Sequence, residues 1–353
     1  MMLTQVRHQE SCPELESSFA LCFAGRFSEE LVSAGASVYQ LGGVRISRPL
    51  SVRRARRNLR DLLRRKTFDV VVTHSAWTQA VFGPAVRAVG VPLVSYLHAP
   101  PDGRHWLERL ARRTAPELAL CNSAFTAETA GQLYPGVRSE IVYCSVAASE
   151  NSSSEVNRKL IRAEFQTPED ATVIIQVSRM EPWKGQAEHL QGLSLLTDLP
   201  GWVCWQVGGA QSPAEEKYLR RLKELATSLG IGQRVRFLDQ RRDVARLLAA
   251  ADIFCQPNSG PEPFGITFIE ALYAGLPVVT TDIGGAREIL DDSCGLLVPP
   301  GDAQSLATAL RNLVQAPALR TQLGIAGPAR ARVVCDPATQ INQFYQALRS
   351  ATV

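Results

Sequence analysis

Apolar runs of strand length alternate with amphipathic segments of helix length along most of the chain. Continuous apolar strands separated by helices predict parallel sheets that are covered by helices on both faces. The strands predicted in the first half are Phe19–Phe23, Val70–Thr73, Leu93–Leu97, Leu118–Cys121 and Ile141–Tyr143. Those predicted in the second half are Val173–Val177, Val203–Val207, Val235–Leu238, Ile253–Gln256, Val278–Thr280 and Leu296–Val298. The helices predicted there are Gly185–Leu195, Ala214–Leu229, Val244–Ala250, Ile266–Ala274, Ala303–Gln315, Ala318–Arg332 and Pro337–Arg349.

A polar stretch at Ala147–Glu155 interrupts this alternation and predicts a linker. We therefore expect one Rossmann-like domain over residues 1–150 and a second over residues 156–335. A last helix within residues 336–353 is expected to pack back toward the first domain. Since ligands bind beyond the carboxyl ends of parallel strands, a cleft between two facing domains is the expected site.

Composition excludes several classes of protein. The 353 residues are 45% hydrophobic and 20% charged, which is typical of a soluble globular protein. No apolar run is long enough to span a membrane, and Met1–Ser17 lacks the apolar core of a signal peptide. The eight cysteines are scattered without a CxxC pair, which favours reduced thiols in the cytoplasm over disulfides or a zinc site. A net charge of +4 is too small to indicate nucleic-acid binding.

An acidic motif follows the predicted strand Ile253–Gln256. Gly260 and two prolines prevent a helix there, so Glu262 is predicted on a loop, and Glu270 about one turn inside the following helix. A helix start attracts phosphate, Glu270 could bind a ribose diol, and Glu262 could bind sugar hydroxyls. The simpler interpretation is that both carboxylates are solvated. The backbone N–H groups expected to face a ligand belong to Phe264, Gly265, Ile266 and Thr267.

A basic motif follows the predicted strand Val173–Val177. Arg179 and Lys184 would place two cations at the mouth of the same cleft, where they could stabilise a departing diphosphate. The simpler interpretation is two surface cations. Two glycine pairs complete the pattern, because Gly208-Gly209 and Gly284-Gly285 also follow predicted strands, although such turns are common.

These motifs, in this order and at these strand ends, resemble glycosyltransferase family 4 of the two-domain GT-B architecture. The resemblance is carried by Glu262 and Glu270 in an E-x7-E arrangement and by Arg179 with Lys184-Gly185, and continues through Val278–Pro300. It implies that Arg179 and Lys184 hold the donor diphosphate, Glu270 the ribose and Glu262 the sugar hydroxyls. It also implies a retaining, metal-independent hexosyltransferase without a cofactor, whose donor is a UDP-, GDP- or ADP-sugar and whose acceptor is a saccharide or a lipid-linked group.

In the first half, His98 ends the predicted strand Leu93–Leu97. The resemblance implies that this imidazole lies beside the transferred sugar, while the simpler interpretation is a histidine satisfied within a loop. His74 and His105 with Trp106 are weaker candidates for contacts with the acceptor. Asn122-Ser123 could also face the cleft, but an N-cap for the next helix is the simpler interpretation.

The chain departs from the family pattern at its start. The family begins with an apolar strand and a Gly-rich loop, whereas no such strand precedes Phe19 and no glycine precedes Gly25. We therefore expect the first domain to lack its central first strand, which would expose two sheet edges. Low stability or weak activity is expected unless another segment fills the gap, and comparison with a version extended upstream tests this.

The segment Arg48–Lys66 carries nine basic residues and one aspartate. Apolar positions from Val52 to Leu63 form one face of a predicted helix, and arginines cover the rest. The favoured interpretation is a helix that packs on the first sheet with a solvated basic face. The alternative is peripheral contact of Arg53–Lys66 with anionic lipid at the inner membrane face.

Other functions remain open at this point. A sugar-nucleotide epimerase on the same scaffold is disfavoured by the paired glutamates and cations, and no segment indicates the pyridoxal lysine of a phosphorylase. A degenerate, non-catalytic nucleotide-sugar-binding protein remains an alternative because of the expected gap in the first domain.

Overall fold

The computed structural model describes residues 1–149 and 155–352. The chain forms two compact units: Met1–Ala147 with Cys335–Val353, and Ala148–Val334. Most of the predicted linker, residues 150–154, lies outside the described residues. Within the described residues, no helix is long and apolar enough to cross a membrane. The same residues contain eight free cysteines, of which all but Cys22 are buried.

The first unit contains six strands and seven helices among its described residues. Its strands are β1 (Ser18–Leu21), β2 (Ser37–Gln40), β3 (Val71–His74), β4 (Leu93–Leu97), β5 (Leu118–Cys121) and β6 (Ser139–Ile141). Its first six helices are α1 (Met2–Arg7), α2 (Arg26–Ser33), α3 (Pro49–Arg65), α4 (Ala76–Arg87), α5 (Trp106–Arg112) and α6 (Ala124–Leu133), and a 3-10 turn covers Gln9–Ser11.

The second unit has the remaining strands and helices. Its strands are β7 (Thr172–Val177), β8 (Trp202–Val207), β9 (Val235–Phe237), β10 (Ile253–Gln256), β11 (Val278–Thr281) and β12 (Gly295–Val298). Its helices are α7 (Glu155–Glu164), α8 (Gln186–Ser194), α9 (Pro213–Ser228), α10 (Val244–Ala250), α11 (Ile266–Tyr273), α12 (Ala286–Ile289), α13 (Ala303–Gln315) and α14 (Pro317–Cys335). 3-10 turns cover Pro182–Lys184 and Gly232–Arg234, and α15 (Pro337–Thr352) belongs to the first unit.

The sheet of the second unit is fully parallel, in the order β12-β11-β10-β7-β8-β9. Strands β7, β8, β10 and β11 are buried along their whole length, as expected for strands covered on both faces. Their core side chains pack with those of α8, α9 and α13. This is the strand order of a dinucleotide-binding fold, and it makes the second unit a complete Rossmann-like domain.

The sheet of the first unit is divided into two parts. Strands β1 and β2 form a parallel pair, while β3, β4, β5 and β6 form a separate parallel sheet. Side chains of α3 and α4 pack in one core that also includes residues of β2, β3 and β4, so the two parts share a core. Within the described residues, β1 and β3 each pair with one strand only. This pairing agrees with the expected gap in the first sheet.

The strand predictions for the first unit needed two corrections. Strand β2 was missed because its side chains are half-buried or exposed, so it has no continuous apolar run. Strand β6 lies two residues before the predicted Ile141–Tyr143, because this edge strand is mostly exposed and its position is set by pairing with β5. The remaining predicted elements are found within three residues of their expected ends.

Candidate active site

The second unit brings its motif loops together at one point of the sheet. Strands β7 and β10 are neighbours, yet the chain leaves them toward opposite sides of the sheet, since β8 lies beyond β7 and β11 beyond β10. The carboxyl ends of such strands form the crevice in which parallel α/β sheets bind ligands. The basic loop, residues 178–185, follows β7, and the acidic loop, residues 257–265, follows β10.

A buried ion pair joins these two loops. The Nζ atom of Lys184 donates to Oε2 of Glu262 over 2.6 Å, and both side chains are largely shielded from solvent. The ammonium also lies 3.9 Å from the ring centroid of Trp183, as in a cation–π contact. An ammonium has three N–H donors, so these contacts leave Lys184 able to bind a further anion.

Two amides support the carboxylate of Glu262. The side-chain nitrogens of Gln256 and Asn258 each lie 3.4 Å from Glu262 Oε2, and Gln256 also donates to Asn258 Oδ1 over 3.0 Å. All three side chains are buried, so the carboxylate is held by polar groups from the end of β10 and its loop. Its position is therefore set before any ligand arrives.

Backbone contacts press the two loops against each other. Ser259 N and Gly260 N donate to Trp183 O over 3.0 and 3.3 Å. Gly185 adopts a left-handed conformation with φ of +74°, and a Cβ atom there would lie 1.8 Å from Pro257 O. The glycine of the basic motif is thus required by the approach of the acidic loop.

Three buried glutamines, which sequence reasoning missed, lie at the ends of β7, β8 and β10. Gln176 Nε2 donates to Lys184 O over 2.8 Å, and its Oε1 lies 2.9 Å from Nδ1 of the fully buried His189. Gln206 also lies 3.0 Å from that nitrogen. The signal was available, because each glutamine occurs near the end of an otherwise apolar strand. Burial lowers the pKa of His189 to about 3, so its imidazole is neutral.

The predicted glycine pairs hold loops close to one another. Gly285 N donates to Glu262 O over 2.8 Å, and a Cβ atom at Gly284 would lie 2.4 Å from the same oxygen. A Cβ atom at Gly208 would lie 1.9 Å from Ser178 O, and one at Gly209 would lie 2.9 Å from Gln240 N. These glycines allow backbone segments to meet above the sheet, and a role for Gly208 and Gly209 toward a ligand stays a prediction.

Helix α11 starts directly after the acidic loop. Gly265 precedes it with φ of +110°, where a side chain would strike the ring of Phe268. The first N–H groups of a helix, here those of Ile266 and Thr267, have no intrahelical acceptor. Glu270 follows on α11, half-buried, and burial raises the pKa of its carboxyl. Within the described residues, this carboxylate has no hydrogen-bond or ion-pair partner.

Arg179 is placed differently from Lys184. It is exposed and forms ion pairs of 3.2 Å with Glu181 and 3.0 Å with Glu215, which lies in the first turn of α9. The two predicted cations therefore lie in one loop with different partners, one beside β8 and α9 and the other beside the acidic loop. Arg179 and Lys184 therefore form ion pairs with different carboxylates, and their shared role toward a diphosphate stays a prediction.

In the first unit, His98 lies just beyond β4 and is paired with another histidine. Nδ1 of His74, the last residue of β3, lies 2.9 Å from Nε2 of His98. Burial lowers the pKa of His98 to about 4 and that of His74 to about 3, with the neighbouring His98 adding to the latter shift. Both imidazoles are therefore neutral near pH 7.

The other candidates of the first unit have structural contacts. Ser123 caps α6 by accepting from Thr126 N over 3.0 Å, which confirms the simpler interpretation, and Asn122 donates to the carbonyl of His98 over 3.3 Å. His105 caps α5 at a long 3.4 Å, next to the half-exposed Trp106. The apolar face of α3 packs into the core as expected.

Two family models match this chain. The description "Glycosyl transferases group 1" applies to residues 157–330, and "Glycosyltransferase Family 4" applies to residues 19–150. The first match contains the basic and acidic loops, and the second contains the histidine pair. The chain belongs to the family 4-like glycosyltransferases.

The curated relatives are similar mainly to parts of this chain. The lipopolysaccharide core biosynthesis glycosyltransferase LpsE of Rhizobium meliloti (strain 1021) is 35% identical over 167 residues, 47% of this chain and 46% of that protein. The phosphatidyl-myo-inositol mannosyltransferase of Mycobacterium leprae (strain TN) is 38% identical over 180 residues, 46% of this chain and 45% of that protein. The matched region thus spans about half the length of these relatives.

Solved structures show the same fold over the whole chain. Anabaena HepE, in a complex with UDP and glucose, matches with a TM-score of 0.83 at 24% identity, covering 99% of this chain and 95% of that one. WaaG, a glycosyltransferase involved in lipopolysaccharide biosynthesis, matches with a TM-score of 0.67 at 20% identity, covering 93% and 98%. At these identities the likeness establishes the two-domain GT-B fold alone.

Proposed function

We propose that this protein transfers a hexosyl group from a nucleotide diphosphate sugar to a saccharide or lipid-linked acceptor, with retention of anomeric configuration. The observation that carries the proposal is the buried Lys184–Glu262 pair at the switch point of the second sheet, followed directly by the start of α11. A cation and free helix N–H groups at one strand edge suit a pyrophosphate.

Lys184 is the proposed contact for the leaving diphosphate. Its ammonium is positioned by Glu262 and by the ring of Trp183, so little reorganisation is needed as negative charge develops on the departing phosphate. Arg179 is the second proposed contact, since its exposed guanidinium has five N–H donors and its ion pairs with Glu181 and Glu215 leave some of them available. Backbone N–H groups of the α11 start, from Phe264 to Thr267, are proposed to contact the donor.

The two glutamates are proposed to divide recognition of the donor. Glu270 would accept hydrogen bonds from the ribose diol, which fits its half-buried carboxylate near the helix start. Glu262 keeps one oxygen bonded to Lys184 and can use the other for sugar hydroxyls. The resemblance assigns His98 a hydrogen bond to the transferred sugar, and we adopt that role.

The proposed step breaks the bond between the anomeric carbon and the phosphate oxygen. The acceptor oxygen forms a bond to the same carbon on the same face of the sugar, and its proton passes to a leaving phosphate oxygen. No metal ion and no organic cofactor enter this step, and we expect turnover to be unchanged by EDTA. Anomeric configuration of the product, read by NMR, tests the retaining course.

A panel of UDP, GDP, ADP and their sugars tests the function. A thermal shift with one nucleotide identifies the donor, since a ligand that binds only the folded state raises apparent stability. Release of that nucleotide with a glycosylated product supports the proposal. Epimerised sugar would indicate an epimerase, binding without turnover would indicate a nucleotide-sugar-binding protein, and no binding by any member would overturn the site.

We further propose that the basic face of α3 holds the protein at the cytoplasmic face of an anionic membrane, where a lipid-linked acceptor would be reached. Arg53, Arg54 and Arg57 are exposed on this face, and Leu50, at the start of α3, is 77% exposed. Within the described residues, none of these arginines has an acidic partner. Anionic headgroups attract such a cluster, and an exposed leucine can enter the interface.

A further inference from the structure

His74 and His98 in the first unit form a hydrogen-bonded pair with aligned rings. Strands β3 and β4 are parallel neighbours with His74 opposite Tyr96, so the two imidazoles emerge from adjacent strand ends. The two ring planes are nearly parallel, with an angle of 5° between them, and the ring centroids lie 5.2 Å apart. The single hydrogen bond between Nδ1 of His74 and Nε2 of His98 measures 2.9 Å.

The backbone beside His74 is strained. Ser75 has φ of 93° and ψ of 157°, a region that is populated almost only by glycine. The surroundings enforce it: Ser75 N donates to Tyr96 O over 3.1 Å, and the hydroxyl of Thr78 donates to His74 O over 2.6 Å. Such strain persists where neighbouring structure demands a particular side-chain position. We infer that the strained backbone at Ser75 helps to orient the side chain of His74 toward His98.

His98 is anchored independently. Asn122 donates from the start of α6 to the carbonyl of His98 over 3.3 Å, and the ring of Tyr96 lies 4.5 Å from that of His98. Both partners of the pair are therefore held by their own backbone contacts. With both residues held in this way, the position of the proton in the hydrogen bond between them becomes the relevant variable.

That proton determines the chemistry of the free nitrogen of His98. A neutral imidazole has one N–H and one bare nitrogen. If Nε2 of His98 carries the hydrogen and donates to His74, Nδ1 of His98 is a bare acceptor. This arrangement lets both histidines adopt the Nε2–H form, which is the intrinsically favoured neutral tautomer of the side chain. Within the described residues, Nδ1 of His98 and Nε2 of His74 make no hydrogen bond.

We propose that His74 is a positioning residue that holds His98 as the Nε2–H tautomer, so that His98 Nδ1 accepts a hydrogen bond from a hydroxyl of the transferred sugar. This inference rests on the proposed function for its consequence, while the tautomer itself is a property of the protein alone. His74 does not touch the substrate in this proposal and acts only through His98.

Nitrogen-15 NMR of the histidine-labelled full chain tests the tautomer without any substrate. We expect protonated Nε2 and bare Nδ1 at His98 near pH 7, with a scalar coupling across the hydrogen bond to Nδ1 of His74. A proton on Nδ1 of His98, or no coupling between the two residues, overturns the proposal. This measurement uses the unaltered protein, so it does not depend on the folding of a variant.

Two substitutions connect the pair to catalysis. His74→Leu should give mixed tautomers at His98 and lower kcat about fivefold with the donor KM unchanged, because one buried hydrogen bond contributes about 1 kcal/mol, a factor of about five in rate. His74→Gln offers an amide oxygen as acceptor and should restore both the tautomer and most of kcat, while His8→Gln serves as an unaffected control. Equal loss in both His74 variants with an unchanged His98 tautomer would contradict the proposal. If the native protein turns over no donor, the proposed function fails and the tautomer is still decided.

Discussion

Lys184 Nζ and Glu262 Oε2 lie 2.6 Å apart although 78 residues separate them in the chain. The contact exists because β7 and β10, whose loops carry these residues, are neighbours in the sheet. Each side chain is the nearest counter-ion of the other, so the donor would meet a cation whose charge is already partly balanced. Recognition of phosphate and of sugar is thereby linked through a single ion pair.

Removing the cation should weaken donor binding. Lys184→Met is expected to reduce affinity for the nucleoside diphosphate about 10- to 100-fold, since a charge-assisted hydrogen bond contributes about 1.5–3 kcal/mol. It also leaves Glu262 buried without its counter-ion. Isothermal titration with the best nucleotide measures the loss. Lys159→Met is the matched control, because Lys159 is exposed and pairs only loosely with Glu169 at 3.8 Å; an equal effect of both substitutions would contradict the assignment.

The carboxylate of Glu270 should distinguish ribose from deoxyribose. The native protein is expected to bind the ribonucleotide more tightly than its 2′-deoxy form, and Glu270→Ala should bring the two affinities within about twofold, because a hydrogen bond to a charged group is lost. Glu224→Ala, at an exposed position of α9, should leave the discrimination intact. Undiminished preference for the ribonucleotide in Glu270→Ala would remove the ribose role.

The glycine of the basic motif should be intolerant of a methyl group. Gly185 and Gly230 share nearly the same φ, +74° and +73°, but only Gly185 has a neighbour within 4 Å, the backbone of the acidic loop. Gly230→Ala should cost roughly 1–2 kcal/mol from its backbone conformation alone. Gly185→Ala should cost at least about 2 kcal/mol more, because the loops must separate. Denaturant unfolding measures both, and equal costs would mean that the loop contact is not tight.

Acid should destabilise the second unit through His189. Its pKa is about 3 when folded, below the ordinary 6.5 of the unfolded chain. Stability is therefore complete above pH 6.5 and falls as the unfolded form gains a proton, reaching a loss of about 2 kcal/mol at pH 5. Unfolding can be followed by the fluorescence of the buried Trp202 and Trp205. In His189→Gln, the free energy of unfolding should fall by about 2 kcal/mol less between neutral pH and pH 5 than in the native protein. Parallel pH profiles for the two proteins would exclude the histidine as the cause.

The membrane proposal predicts sensitivity to charge on one helix. Arg53→Gln with Arg57→Gln should weaken binding to phosphatidylglycerol vesicles about 30-fold, since each basic residue near an anionic surface contributes about 1 kcal/mol. Arg220→Gln with Arg221→Gln, on exposed positions of α9, is the matched control. Co-sedimentation at fixed ionic strength compares them. No binding by the native protein would establish the solvated-face interpretation of α3.

The sequence by itself determined the parallel α/β class, most strand positions and the chemical types at the site. Buried parallel strands such as β7, β8 and β10 are continuous apolar runs, and the glycines and prolines around Glu262 rule out a helix there, so local chemistry was sufficient. It did not reveal β2, whose half-exposed side chains carry no clear period.

Only the tertiary structure decided which side chains became partners. The order of the strands brings Lys184 into an ion pair with Glu262 and Arg179 into an ion pair with Glu215. It also brings His74 and His98, at the ends of neighbouring strands, into hydrogen-bond contact. Such contacts depend on the neighbour of each strand and on the direction of each loop, which are properties of the assembled sheet. The contacts of the buried Gln176 with Lys184 O and with His189 also depend on the assembled sheet. A polar residue in an apolar strand predicts that a hydrogen-bond partner exists, but the sequence does not identify which residue it is.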